Sequence, residues 1–349
     1  MLKNLIKNIS SWPELEAGIA SLPTEHARGY AFEEFCHAYF ELDSVCQLQF
    51  KEVYRQNEIP ASLLKRLGYP GRKDIGIDGV AVSNDNKITA YQAKFRRDRK
   101  NTPTLRELST FFTMSDRADD RITITNANKL PSSIHDRTRQ RCILSDSFCQ
   151  LKPDFFKRLK IWLSKKTKIP TKKKTPNKTQ SETINAALKH FKDNSRGQMI
   201  LPCGTGKTLA AMWIVERLGG RRILVMVPSL ALLSQALREW AENTLRPFRY
   251  ICLCSDTSVD PRNDSPLEHS SETKFPVTTD SDIVAEFLKE NTKTTSILFS
   301  TYQSSNALSE ATLKSGIQFD TAIFDEAHRT AGTQASIWSL ALDDKNVPI

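Results

Sequence analysis

Short apolar runs alternate with amphipathic stretches through the second half of the chain. Five runs predict buried strands, at 199–201, 223–227, 250–254, 296–300 and 321–324. Helical spacing of apolar residues predicts three helices between them, at 209–215, 230–240 and 282–290. Strands that alternate with helices indicate a doubly wound α/β lobe built on a parallel sheet. A polar stretch at 255–280 interrupts the pattern and predicts a surface loop with little regular structure.

The first half of the chain has a more varied pattern. Helical spacing predicts three amphipathic helices, at 32–40, 105–112 and 155–163. Strands predicted at 74–82 and 88–94 flank the polar turn 84–86, and a further strand is predicted at 121–126. A hairpin among strands and helices indicates a small α/β domain.

A lysine-rich segment separates the two halves. Residues 164–179 contain seven lysines and no acidic residue, which accounts for most of a net charge of +10. With two prolines and few apolar side chains, the segment is predicted to be extended, either as a solvated tether or as a contact for a phosphate backbone. The predicted domains are a helical extension (1–24), a first α/β domain (25–163), this linker and a C-terminal lobe (180–349).

Composition narrows the class of protein. Hydrophobic residues make up 39% and charged residues 26% of the chain. No apolar run approaches the roughly 20 residues that span a membrane, and the N-terminus lacks the apolar core of a secretion signal. Seven cysteines without a CxxC spacing indicate free thiols rather than disulfides or a zinc site. We therefore expect a soluble, cytoplasmic protein.

A glycine-containing turn lies just before the helix predicted at 209–215. Glycines allow several backbone N–H groups to face one point at a helix N-terminus, where phosphate binds. Lys207 would reach the β- and γ-phosphates of a nucleotide, Thr208 would bind Mg²⁺, and Cys203 would contribute only its backbone. An ordinary tight turn is the alternative. The predicted nucleotide-binding residues of this turn are Cys203, Gly204, Thr205, Gly206, Lys207 and Thr208.

Two acidic residues follow the strand predicted at 321–324. Asp325 and Glu326 would lie at its carboxyl end, where open parallel sheets bind ligands. Asp325 would bind Mg²⁺, and Glu326 would orient or deprotonate the attacking water. A polar loop is the alternative for this pair alone, but its occurrence after the glycine turn predicts an ATP site.

Polar residues share one face of the predicted hairpin. Gln92 and Lys94 have the same parity on the second strand, as do Asp74 and Asp78 on the first. Carboxylate and amide oxygens suit a Mg²⁺ ion that polarises a phosphodiester, and Lys94 would orient the attacking water. An exposed polar hairpin face is the alternative.

Four segments of the second half resemble the motifs of superfamily 2 helicases, namely Pro202–Thr208, Val227–Gln235, Ser300–Ser304 and Asp325–His328. The resemblance implies that Gln180 reads adenine and that His328 couples hydrolysis to movement. It further implies that Ser229, Thr301 and Gln303 contact a nucleic-acid backbone. Helix capping or a surface position for Gln180, and strand-end polarity for the other three, are the alternatives.

Superfamily 2 motors also have a second lobe that supplies arginine fingers, and the chain stops at Ile349 without one. Such arginines contribute about 10³–10⁵ in rate, so a single lobe would bind ATP but hydrolyse it slowly. We expect the front part of a longer protein, a truncated gene, or one half of a two-chain enzyme.

The hairpin resembles the Mrr-like branch of the PD-(D/E)xK nucleases, in which a Gly-x-Asp strand precedes a Gln-x-Lys strand. The resemblance implies that Asp78 is the chief metal ligand and that Gln92 occupies a position where many relatives have Glu. It also implies that Glu33 is the glutamate of the first helix, for which a solvated helix residue is the alternative. The implied catalytic set is Glu33, Asp74, Asp78, Gln92 and Lys94.

A nuclease domain joined to a helicase lobe resembles the front of restriction and phage-defence enzymes, in particular single-polypeptide Type I enzymes and Type III-like helicase subunits. The resemblance implies an ATP-dependent nuclease and translocase that uses ATP and Mg²⁺ on double-stranded DNA, with a second lobe or a partner subunit. Two other functions stay open. One is an ATP-binding DNA-recognition switch with an inactive nuclease, and the other is a nucleotide-independent nuclease with a vestigial lobe.

Overall fold

The computed structural model divides into two compact units. The first is Met1–Thr171 with a short later segment that ends at Phe275, and the second contains the rest of the chain from Lys172. The described residues are 1–69, 71, 76–135, 137–202, 204–255, 273–290, 292–327 and 347–349. Within these ranges, no helix is long and apolar enough to cross a membrane.

The first unit contains nine α-helices, two short 3-10 helices (Ile6–Asn8 and Gln56–Glu58) and five strands among its described residues. The helices are α1 (Leu2–Leu5), α2 (Trp12–Ala20), α3 (Glu25–Leu42), α4 (Ser44–Gln49), α5 (Ala61–Leu67), α6 (Leu105–Met114), α7 (Ser132–His135), α8 (Ser145–Cys149) and α9 (Pro153–Lys165). The strands are β1 (Phe50–Arg55), β2 (Gly79–Ser83), β3 (Ile88–Lys94), β4 (Asp120–Thr125) and β5 (Gln140–Ile143). The predicted helices and the hairpin of β2 and β3 are therefore confirmed, although β2 begins later than predicted.

The five strands form one mixed sheet in the order β1-β2-β3-β4-β5. β1, β2 and β3 pair antiparallel, whereas β3, β4 and β5 pair parallel. Because side chains alternate along a strand, the sheet contributes to two cores. Tyr91 and Ala93 pack in the core that contains α3, and Ile88 and Ala90 pack in the core that contains α6.

Helix α3 crosses the sheet and brings Glu33 to it. Thr24 caps its N-terminus by accepting a hydrogen bond from the Ala27 N–H at 3.1 Å. Its aromatic face includes Phe35, whose ring centroid lies 4.8 Å from that of Trp12 on α2. This apolar face, read from the helical spacing, holds α3 in a fixed rotation so that Glu33 is only partly exposed.

The surface loop predicted for 255–280 is wrong at its end, and residues 256–272 lie outside the described part. Thr273 and Phe275 are buried in the first unit. Lys274 Nζ lies 2.7 Å from Asp43 Oδ2, and Arg141 Nη1 donates to the Lys274 carbonyl at 2.9 Å. A lysine is buried because a carboxylate pairs with it, a long-range contact that local polarity cannot reveal.

The second unit contains a parallel sheet flanked by helices. Its described helices are α10 (Lys178–His190), α11 (Lys207–Leu218), α12 (Leu230–Asn243), α13 (Ser281–Lys289) and α14 (Ser305–Ser315). Its strands are β6 (Arg222–Val227), β7 (Phe248–Leu253), β8 (Val277–Thr278), β9 (Thr295–Thr301) and β10 (Thr321–Phe324). All pairings in the order β10-β6-β9-β7-β8 are parallel, which confirms the doubly wound lobe.

The strand predicted at 199–201 is wrong. This segment has no regular secondary structure, and the Ile200 side chain is 82% exposed. Within the described residues β10 pairs only with β6, so no strand offers 199–201 a ladder. An apolar run forms a strand only where a partner satisfies its backbone groups.

Candidate functional site

The hairpin of the first unit fixes Asp78 against the end of β3. β2 and β3 place Gly79 opposite Tyr91, and Asp78 directly precedes β2. The Asp78 N–H donates to the Tyr91 carbonyl at 3.0 Å, and its Oδ2 accepts from the Ala93 N–H at 2.7 Å. Both partners lie on β3, so the carboxylate is held beside the two residues that flank Ala93.

Those two residues are Gln92 and Lys94, and both are partly exposed while Ala93 is buried, in agreement with the predicted alternation. The Gln92 Oε1 is buried and accepts no hydrogen bond within the described part of the chain. Leaving a buried acceptor without a partner costs about 1–3 kcal/mol, and an ion that binds there is one way to recover it. This side-chain amide oxygen of Gln92 is therefore available to a cation.

Electrostatics bring Glu33 into the same site. Burial, followed by the charge of Glu33, raises the pKa of Asp78 to about 7. Burial also raises the pKa of Glu33, against the lowering effect of the positive charges of Arg55 and Lys94. The mutual effects place these four groups within electrostatic range of one another. Two carboxylates that are both hard to ionise mark a position where a cation would be favourable.

The chemistry of these donors fits Mg²⁺. Magnesium prefers oxygen ligands and keeps several waters, so it needs only one or two carboxylates from a protein. Glu33 and Asp78 supply carboxylates, and Gln92 supplies the orphaned carbonyl oxygen. Among the described residues there is no group of three or more His, Cys, Asp or Glu that could hold a metal ion. Asp74, predicted as a further carboxylate, lies outside the described residues.

In the second unit, the predicted phosphate loop lies at the N-terminus of α11. Gly206 caps the helix with φ +79°, and Gly204 has φ +78°, a left-handed conformation that favours glycine. The first helical hydrogen bonds are made by Leu209 and Ala210 to the Gly206 carbonyl. Within the described residues, the N–H groups of Lys207 and Thr208 have no hydrogen-bond partner, as is usual at a helix N-terminus that binds an anion. Cys203 lies outside the described residues.

Gln180 supports this loop from α10. Its Nε2 donates to the Thr205 carbonyl at 2.9 Å, and its Oε1 accepts from the Asn177 N–H at 3.0 Å. A Cβ placed on Gly206 would lie 2.6 Å from the Gln180 Nε2, so a larger residue there would displace the Gln180 side chain, and the φ of +79° also favours glycine. Contact between Gln180 and adenine stays a prediction, since its described partners are the loop and its own helix cap.

Asp325 and Glu326 follow β10 and face the same loop. Lys207 Nζ lies 3.5 Å from Glu326 Oε1. Burial, and then the charge of Glu326, raises the pKa of Asp325. Glu326 has φ +53°, an unusual value for a non-glycine residue that is often found at functional sites. Lys207, Asp325 and Glu326 are thus brought together as predicted, whereas His328 lies outside the described residues.

The residues predicted to contact nucleic acid have local roles as well. Ser229 caps α12, with its Oγ accepting from the Leu232 N–H at 3.4 Å. Thr301 is fully buried, and its Oγ1 lies 3.1 Å from the Ser304 Oγ. Gln303 is exposed. Contact with a nucleic-acid backbone stays a prediction for Ser229, Thr301 and Gln303.

Two residues near these sites were missed from the sequence. Tyr302 is buried and its Oη donates to the Asp325 carbonyl at 2.8 Å, which steadies the turn after β10. Its position in a motif at the end of a predicted strand was the available signal. Arg55 ends β1, a strand of one buried, two exposed and three half-buried residues in sequence, which gives no alternation to recognise.

Comparisons with known families match one family in each half of the chain. Residues 41–143 match the family described as restriction endonuclease. Residues 173–345 match the family described as Type III restriction enzyme, res subunit. The chain therefore combines a restriction-endonuclease domain with a res-subunit type of helicase lobe. None of the curated proteins compared is significantly similar in sequence.

Among solved structures, the chain is similar to the ATP-dependent Type ISP restriction-modification enzyme LlaBIII bound to DNA. The match has 25% identity and a TM-score of 0.76, and it covers 95% of this chain and 22% of that one. A nuclease-deletion mutant of the Type ISP enzyme LlaGI, with a DNA substrate mimic, matches 50% of this chain and 16% of its own at 32% identity and a TM-score of 0.41. This chain thus spans about a fifth of the length of the LlaBIII enzyme.

Proposed function

We propose that the first unit is a Mg²⁺-dependent endonuclease that cleaves DNA phosphodiesters. The observation that carries the proposal is the buried, unpartnered Gln92 Oε1 beside the fixed carboxylate of Asp78. A polar hairpin face without a ligand would leave this acceptor in water or pair it with a neighbouring donor. The similarity to an enzyme that was solved bound to DNA supports DNA as the substrate.

Each residue then has a role that follows from its position. Asp78 and Gln92 would bind the ion, and Glu33 would complete its shell directly or through water. Bound Mg²⁺ would polarise the phosphodiester and lower the pKa of a bound water. Lys94 follows Gln92 on the same face of β3, so its ammonium would orient the attacking water and offset negative charge on the phosphate.

For the second unit, the proposal is an ATP–Mg²⁺ site. The free N–H groups at the start of α11 would bind phosphate oxygens, with Lys207 reaching the terminal phosphates. Thr208 and Asp325 would hold Mg²⁺, and Glu326 would orient water once it leaves Lys207. Coupling of ATP turnover to movement along DNA belongs to the proposal, as does a further lobe or subunit that completes hydrolysis.

The test is cleavage of supercoiled plasmid by the 349-residue chain with Mg²⁺, in the presence and absence of ATP. We expect Lys94→Ala to lose cleavage by about 10²-fold or more, because it removes a group that acts on the reacting water. Lys87→Ala is the matched control, since Lys87 lies at the other end of the same hairpin and pairs with Asp85. Equal cleavage by the Lys94 and Lys87 variants would contradict the assignment.

The same assay separates the other functions. If Lys207→Ala removes only an effect of ATP, the nuclease is controlled by the lobe. Cleavage that is indifferent to ATP and to Lys207→Ala would indicate a nuclease with a vestigial lobe. A wild-type chain that leaves DNA intact with Mg²⁺ and with Mn²⁺ would indicate a DNA-binding switch with an inactive nuclease.

A further inference from the structure

We propose that Arg55, seated on the Tyr30 ring, binds the phosphate backbone of DNA beside the cleavage site of the first unit. The inference rests on the proposed nuclease function only in taking DNA as the substrate. It assigns DNA binding to a residue that is neither a metal ligand nor a reacting group of the proposed site.

The backbone places Arg55 next to Asp78. Arg55 ends β1 and lies opposite Gly79 in the antiparallel register of β1 and β2. The N–H of the next residue, Gln56, donates to the Asp78 carbonyl at 2.9 Å. Neighbouring strands are about 4.7–4.9 Å apart, so Arg55 begins within one strand spacing of the site.

The side chain of Arg55 is supported by an aromatic ring. Its Cζ lies 5.3 Å from the centroid of the Tyr30 ring. Tyr30 is 40% exposed and lies three residues before Glu33 on α3, which puts both side chains on one face of that helix. An arginine stacked on an exposed aromatic ring keeps its planar fork of N–H donors in a fixed orientation.

Arg55 differs in its pairing from several other arginines of the first unit. It makes no ion pair with a carboxylate within the described residues, although among the positive charges it lowers the pKa of Glu33 the most. Five other arginines of the unit are paired, as Arg66 with Asp119, Arg96 with Glu107, Arg99 with Glu16, Arg141 with Asp120, and Arg158 with Asp154. Arg55 is therefore held in place without being neutralised, which is what binding an anion requires.

Two further cations act on the C-terminal half of α3. His37, one turn after Glu33, has a pKa lowered to about 3 by burial and then by the charges of Arg55, Lys166 and Lys168. Lys166 Nζ lies 4.0 Å from the centroid of the Trp162 ring, a second cation placed on an aromatic side chain. Arg55, Lys166 and Lys168 therefore lie within electrostatic range of the same side chain, and of these Lys168 is paired with Glu41.

The test measures DNA affinity without divalent metal, so that no cleavage occurs, across about 50–200 mM KCl. Fluorescence anisotropy with a labelled duplex compares wild type, Arg55→Gln and Arg55→Lys. We expect Arg55→Gln to lower affinity about tenfold at low salt and to reduce the slope of log affinity against log salt by about 0.9. Arg55→Lys should restore the slope, because it restores one phosphate contact.

Arg137→Gln is the matched control, because the Arg137 Cζ lies 4.5 Å from the Phe112 ring in the other core of the unit. It removes the same charge and the same kind of ring contact, and we expect the wild-type slope. Equal slopes for Arg55→Gln and Arg137→Gln would overturn the proposal. So would a fall in cleavage by Arg55→Gln with unchanged DNA affinity, which would assign Arg55 to the ionisation of Glu33.

Failure of the nuclease assignment would be seen separately. The anisotropy experiment needs no cleavage, so a catalytically inactive wild type still reports on Arg55. Conversely, loss of cleavage in Lys94→Ala together with unchanged binding by Arg55→Gln would keep the nuclease and reject the phosphate contact. Thermal unfolding of each variant checks that the half-buried Arg55 can be replaced without loss of the fold.

Discussion

The two candidate sites differ in how their charges are satisfied in the absence of a ligand. In the first unit, Asp78 is fixed by hydrogen bonds from β3, its pKa is raised by burial and Glu33, and Gln92 Oε1 has no described partner. In the second unit, Lys207 Nζ and Glu326 Oε1 lie 3.5 Å apart, and their opposite charges offset each other. The first site is preorganised at a cost to stability, whereas the second, if it binds a nucleotide as proposed, must first separate an ion pair.

The largest expected effect is on nucleotide affinity. Lys207→Ala removes a charged hydrogen bond to phosphate, worth about 1.5–3 kcal/mol, so ATP affinity should fall about 10- to 150-fold. Isothermal titration calorimetry measures this, with Lys189→Ala on the exposed end of α10 as control. A change in affinity no larger than that of the control would show that the loop at the start of α11 is not the phosphate site.

Asp78→Asn should stabilise the metal-free protein in a pH-dependent way. The pKa of Asp78 rises from 3.8 to about 7 on folding, so the folded protein holds this proton more tightly than the unfolded chain does. The stability that this proton contributes is fully present below about pH 4 and is lost as the pH rises through 7. Asn keeps an acceptor for Ala93 without the charge. We expect the free energy of unfolding to increase by about 2 kcal/mol at pH 8, falling toward zero near pH 4, after a discount for partial exposure.

Urea unfolding with EDTA at several pH values measures this gain. Asp85→Asn is the control of opposite sign, because hydrogen bonds from Ser83 and Lys87 lower the pKa of Asp85 against the effect of burial. That variant should lose stability at neutral pH rather than gain it. Similar behaviour of the two variants would contradict the comparison, since it would remove the electrostatic cost assigned to the first site.

Gly206→Ala tests the loop of the second unit. Alanine at φ +79° is strained, and its Cβ would lie 2.6 Å from the Gln180 Nε2. Gly219→Ala, at φ +80° at the other end of α11, meets nothing within 4 Å and controls for backbone strain alone. We expect both to lose about 1 kcal/mol of stability from φ, with a further loss of ATP affinity only for Gly206→Ala. Equal ATP affinity in the two variants would show that Gln180 does not support the loop.

The smallest change in stability is expected for Gln92→Leu in the metal-free protein. Removing an unpartnered buried acceptor should raise the free energy of unfolding by about 1 kcal/mol, while cleavage is lost. Gln47→Leu is the control, because the Gln47 Nε2 donates to the Glu41 carbonyl at 2.8 Å and no gain is expected there. A loss of stability in Gln92→Leu would mean that the amide has a partner or packing role in the metal-free protein.

Features that depend on local periodicity could be predicted from the sequence. Helix α3, the hairpin of β2 and β3, and the parallel lobe all follow from spacing of apolar residues, and they place Asp78, Gln92 and Lys94 as expected. Alternation alone put Gln92 and Lys94 on one face of β3. A glycine turn before the helix predicted at 209–215 was also predicted correctly, since Gly204 and Gly206 have left-handed conformations there, but phosphate binding stays a prediction.

Features set by long-range pairing could not be read in this way. The segment 199–201 is apolar but has no strand beside it in the described residues, whereas Lys274 is charged yet buried on Asp43. Arg55 lies next to Asp78 only through the register of β1 and β2, which no local pattern encodes. Sequence therefore indicates which residues carry chemistry more readily than which residues support them.

The central claim is that the first unit binds a divalent metal through Asp78 and Gln92. Titration of the nucleotide-free chain with Mn²⁺, followed by electron paramagnetic resonance, tests it most directly. We predict binding to the wild type and to Thr208→Ala, and an affinity at least about tenfold lower in Asp78→Asn. Equal Mn²⁺ affinity in the wild type and Asp78→Asn would contradict the account.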